Sequence, residues 1–150
     1  GQSAKTSTME GIVAAQGDEI RAILPITRDK LVDDVLSGLI VESGSNANGE
    51  YVRWGNGLQV CWRSRLTLPM MTIAQAYATW TFPATFLNTD YSVLITQAWI
   101  VSDATGRKPT MGLIQNRTTS SCSVRLISKD SDMEDGDSWG VHLVAIGRWK

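Results

Sequence analysis

Along this chain the rhythm of apolar and polar positions changes near residue 43. Before that point Leu31, Val32, Val35 and Leu36 recur at spacings of three and four, which predicts an amphipathic helix over the segment around 28–38. Thr27 stands where its hydroxyl can accept from the free N–H groups of the first turn, and Asp29 complements the positive helix end. Gly38 is placed to close the helix in a left-handed conformation. A helix of about ten residues is marginal alone in water. Its apolar stripe therefore needs a cover, either the region that follows or copies of itself.

Residues 42–49, Glu-Ser-Gly-Ser-Asn-Ala-Asn-Gly, carry no apolar anchor and read as a linker. This divides the chain into a helical neck, 1–42, and a β-rich domain, 43–150. The β region opens with a hairpin around Gly55-Asn56-Gly57, with Gly57 in the positive-φ position of a three-residue loop. That register sets Trp54 against Leu58 and Val52 against Val60 on one face, expected to be the core face and to include Trp62. Arg53 with Gln59 and Tyr51 with Cys61 fall on the other. Further strands are predicted at 78–86, 91–101, 111–116, 121–128 and 139–149, separated by turn-forming residues. Short antiparallel strands at this spacing predict a mainly β fold, a sandwich or barrel-like domain behind a short helical neck. The last strand is apolar on both faces, which predicts that another subunit covers one of them.

Composition narrows the function classes. A net charge of −1 with scattered basic residues gives no nucleic-acid footprint, and no apolar run reaches the ~20 residues of a membrane-spanning helix. No signal peptide is expected. Gly1 in place of an initiator Met is read as a sign of a fragment or processed product. Cys61 and Cys122 are too few for a disulfide framework or zinc site and are expected to be small buried hydrophobes. The acidic run 129–137 fails the EF-hand template, because Asp135 stands at the glycine position and Val141 where the bidentate glutamate belongs. The single histidine, His142, lies in a strand that reads as core or subunit interface, and carboxylates gather in the loop and linker. Binding without catalysis, metal or cofactor is the expectation. The candidate ligand contacts are Tyr77, Trp80, Tyr91, Arg107, Lys108, Asp132 and Asp135, polar or aromatic residues in or beside long loops. Trp54, Trp99 and Trp149 are assigned to packing.

Four segments carry a family resemblance. Residues 50–62, Glu-Tyr-Val-Arg-Trp-Gly-Asn-Gly-Leu-Gln-Val-Cys-Trp, resemble the opening hairpin of a C-terminal domain of bacteriophage and prophage tail fibres. Trp80-Thr81-Phe82-Pro83-Ala84-Thr85-Phe86 resembles that family's Phe-Pro-x-x-Phe strand. Residues 118–124 resemble its Thr-Thr-x-x-Phe-x-Val segment, with Cys122 in place of the aromatic, and 144–149 its closing strand. Upstream, 8–15 and 21–27 look like the short repeat that precedes such domains. The segment 69–79 and the acidic loop 129–138 depart from the family pattern.

The resemblance implies a homotrimeric distal tip, carried on the virion and made in the host cytoplasm, that attaches to a host-surface glycan or outer-membrane receptor. Trimer and core contacts are expected from Leu31, Val35, Trp54, His142, Val144 and Ile146. The alternatives are a purely structural trimerisation tip, or the terminal module of a capsule-degrading tailspike.

Overall fold

The computed structural model describes residues 28–102 and 109–150, with side-chain surroundings for 28–96 and 109–150. The chain falls into two units that divide between Leu39 and Ile40. In the first, residues 28–38 form helix α1. Leu31, Val32, Val35 and Leu36 are all exposed on it, as is Leu39 just after it. The predicted N-cap, Thr27, lies outside the described residues. Gly38 remains within the helix at an ordinary negative φ, so the left-handed closure expected of it does not occur. The Leu39 N–H instead reaches the Leu36 carbonyl at 3.2 Å. No helix among the described residues is long and apolar enough to cross a membrane.

The second unit is antiparallel β throughout. Its strands are β1 (Ile40–Asn46), β2 (Gly49–Trp54), β3 (Leu58–Thr72), β4 (Gln75–Thr81), β5 (Ser92–Ser102), β6 (Met111–Gln115), β7 (Ser121–Ile127) and β8 (Ser138–Arg148). They form one eight-stranded sheet in the order β1-β2-β3-β4-β7-β6, with β8 also paired to β3, and β5 to β8.

The segment read as a linker is therefore an edge strand. All seven residues of β1 are exposed, and it is held by main-chain pairing to β2, which needs no apolar side chain. The turn it makes with β2 uses Gly49 at φ 131°, where an added Cβ would strike the Trp62 carbonyl.

The hairpin register is the expected one, with Val52 opposite Val60, Arg53 opposite Gln59 and Tyr51 opposite Cys61, and Gly57 at φ 98°. The core face is reversed. Gln59 and Cys61 are fully buried, while Val52, Trp54, Val60 and Trp62 are half-buried on the opposite face. Alternation alone would then turn Leu66 and Leu68 outward, since Cys61 and Leu66 lie an odd number of residues apart. A register shift between Arg63 and Leu66, with Arg65 at φ 63°, restores them to the core.

The core joins both arms of the sheet. Leu66, Leu68, Trp139, Val141 and Leu143 from β3 and β8 meet Ala76, Trp80, Cys122, Val124 and Leu126 from β4 and β7. The predicted strand 78–86 ends at Thr81. Phe82 and Phe86 leave the ladder and plug the core from a loop, Phe82 lying edge-on to Trp80, Phe86 and Tyr91 at 4.9–5.0 Å. Gly147 makes room for the stack of Phe86 and Tyr91, since a Cβ there would lie 2.8 Å from Tyr91 Cβ.

Candidate functional site

The expected contact residues separate into three groups. Trp80 and Tyr91 belong to the core and drop out as ligand contacts. Trp80 is fully buried and donates through Nε1 to the Asn48 carbonyl at 2.9 Å. Tyr91 turns its hydroxyl inward to the carbonyls of Thr118 and Ser121. A tryptophan next to a loop looks like a surface residue in the sequence, but alternation along β4 places Trp80 beside Ala76 and Ala78 on the core side. Arg107 and Lys108 lie outside the described residues, and nothing is described of the Trp99 side chain.

Tyr77, Asp132 and Asp135 are accessible. Asp135 is exposed at the tip of the acidic loop, whereas Asp132 is half-buried and accepts from Ser128 Oγ at 2.5 Å. This loop is more ordered than its charge suggests. Met133 and Asp137 anchor it in the interior, and Asp137 Oδ2 accepts from the Glu134 N–H at 2.9 Å. Among the described residues no three His, Cys, Asp or Glu side chains converge on a point that could hold a metal ion.

Tyr77 lies on the face of the β4–β7–β6 ladder turned away from the core. Directly across from it is Arg125, whose guanidinium carbon is 4.3 Å from the Tyr77 ring centroid. Gln75, two positions along the same face, accepts from Arg125 Nη1 at 2.7 Å. Leu113 of β6 completes the row on the other side of Arg125. The sequence alone does not single out Arg125, because a lone arginine within an apolar strand reads as an ordinary outward residue. Its position opposite Tyr77 emerges only once the β4–β7 register is known.

A second surface is apolar. On the outward face of β2, β3, β8 and β5, Val52, Val60 and Ile146 form one row, and Trp62, Val144 and Leu94 the next. Leu94 is 59% exposed and Ile146 is also exposed. His142 extends this face opposite Thr96 and is exposed, so the core option for it is corrected. Trp54 is half-buried on the same side, away from the core. Leu31 and Val35 are exposed on α1.

The remaining candidate chemistry is quiet. Burial pushes the thiols of Cys61 and Cys122 up to about 11, so both are protonated at neutral pH and are poor nucleophiles. A Tyr51 hydrogen bond, and then Arg53, hold the Glu42 carboxyl below its usual range. Comparison with family models, curated proteins and solved structures returns no match to this chain.

Proposed function

We propose that this chain is the distal tip of a bacteriophage tail fibre, a homotrimer that attaches to a polysaccharide or lipopolysaccharide on the host cell. The observation that carries the reading is apolar surface exposed outside the buried core among the described residues. It comprises the stripe Leu31, Val32, Val35 and Leu36 on α1 with Leu39 just after it, and the two rows around Ile146 and Leu94 on the outer sheet face. Contiguous exposed apolar patches mark interaction surfaces. Copies of the same chain bury both, which also offsets the limited burial available to a β domain of roughly a hundred residues.

The family resemblance of residues 50–62, 80–86, 118–124 and 144–149 supports the same assignment. Those segments form the hairpin, the Phe82–Phe86 plug, the start of β7 and the end of β8, elements that meet around one end of the core. At the other edge Ile95 of β5 comes within contact distance of Gly112 of β6, which supports a sandwich-like closure of the branched sheet. Recognition then falls to loops and outer faces held by this scaffold, and three weak sites on one tip reinforce one another through avidity.

The test is adsorption of the labelled protein to a panel of bacterial strains. Binding to a subset, lost when capsule or O-antigen is removed, is the expected result. A folded trimer that binds no strain would reduce the chain to a structural tip. Shortening of the polysaccharide during incubation would make it part of a degrading tailspike.

A further inference from the structure

Among the described residues two half-buried arginines lie over tyrosine rings, and only one of them is paired with a described carboxylate. Arg53, 5.6 Å from the Tyr51 ring centroid, pairs with Glu42 at 3.0 Å. Its Nε and Nη2 donate to Gln59 Oε1 and the Thr85 carbonyl. Arg125 is held by the Tyr77 ring beneath it and Gln75 beside it, and it forms no ion pair with any described carboxylate. Its Nε is sealed from solvent and has no hydrogen-bond partner among the described residues.

A cation partly removed from water and left uncompensated is costly, and an incoming anion relieves that cost. The guanidinium fork fits a carboxylate in two parallel hydrogen bonds, and its fixed orientation reduces the entropy lost on binding. The next row on this face brings the exposed Thr79 and Gln115 to either side of Ser123, polar side chains suited to sugar hydroxyls.

We infer that the outer face of the β4–β7–β6 ladder is a glycan subsite in which Arg125 receives the carboxylate of an acidic sugar such as a hexuronate. Tyr77 orients the guanidinium from below, and Thr79 and Gln115 meet the hydroxyls of the ring. This rests on the adhesive reading above and names the chemistry of the receptor it would recognise.

The experiment immobilises native acidic capsular and O-antigen polysaccharides beside the same polymers after carboxyl reduction and, separately, after dephosphorylation. The wild-type protein should bind native acidic polymers and lose at least tenfold in affinity on carboxyl reduction. R125Q should show the same loss, with an unchanged oligomer mass and melting temperature. R125K keeps the charge but not the fork. It too should bind at least tenfold more weakly, and it carries the comparison if R125Q does not fold.

Equal binding by R125Q, survival of binding after carboxyl reduction, or loss only on dephosphorylation would overturn the inference. Whole-cell adsorption separates the two levels of failure. Cells bound without any need for Arg125 overturn the subsite alone, whereas a protein that binds neither cells nor polysaccharide overturns the adhesive reading with it.

Discussion

Arg53 and Gln59 face each other across the β2–β3 ladder, and Arg53 Nε donates to Gln59 Oε1 at 2.7 Å with the glutamine wholly shielded from solvent. Gln59 Nε2 donates onward to the Ala84 carbonyl at 3.1 Å, and Arg53 Nη2 to the Thr85 carbonyl at 3.1 Å. The pair thus ties the hairpin to the loop that carries Phe82 and Phe86. Replacing Gln59 by Leu keeps the volume but leaves Arg53 Nε without its partner and the Ala84 carbonyl with only the weak Cys61 Sγ donor at 3.7 Å. Leaving buried polar groups unmatched costs roughly 1–3 kcal/mol each. Urea unfolding of Gln59→Leu at fixed protein concentration should show a loss of about 2 kcal/mol or more, and a loss under about 0.5 kcal/mol would refute this role.

Two glycines with similar backbone angles should respond differently to alanine. Gly57 has φ 98°, and a Cβ there would sit 2.3 Å from Arg148 Nη2 and 2.7 Å from the Lys150 carbonyl. Gly136 has φ 86° with nothing nearby. Gly136→Ala should cost only backbone strain, about 1 kcal/mol. Gly57→Ala adds a clash that displaces Arg148 from the Asn56 carbonyl, for a total of roughly 2–3 kcal/mol. Thermal melts of the two variants at one protein concentration give the comparison.

The buried thiols set an alkaline limit. Folded values near 11, against 9.0 for an exposed thiol, mean that this contribution is fully present below pH 9 and is lost as pH rises through 11. The two cysteines should together remove several kcal/mol of stability across that window, on the order of 2 kcal/mol each. Thiol titration with a coloured disulfide reagent at pH 7.5 should find neither cysteine reactive until denaturant is added.

Glu42 and Tyr51 form a weaker acid-side device. The hydroxyl of Tyr51 donates to Glu42 Oε1 at 2.7 Å and, with Arg53, depresses the carboxyl below 4.5. Its contribution is present above pH 4.5 and is lost as pH falls through the depressed folded value. Tyr51→Phe should raise the Glu42 titration midpoint measured by NMR without bringing it fully to 4.5, since Arg53 remains 3.0 Å away.

The hairpin register and most later strand limits were legible because alternation and turn residues are local signals. Strands expected at 111–116, 121–128 and 139–149 match β6, β7 and β8 to within about a residue at each end. The core face of the hairpin was not legible. Arg53 and Gln59 look like solvent residues until the hydrogen bond between them is seen, and Trp62 looks like core until its face proves to be the outer one. β1 escaped notice because an edge strand held by main-chain pairing needs no apolar residue. The Arg125–Tyr77 stack depends on strand register between segments some fifty residues apart, which no local pattern encodes.

The proposed trimer requires copies of this chain to cover one another's apolar surface. Light scattering of the dilute, folded protein should return about three times the 16.4 kDa of one chain, and Leu31→Ser with Val35→Ser should shift the population toward smaller species. A folded, stable species of 16.4 kDa at micromolar concentration would contradict the trimer and the adhesive tip built upon it.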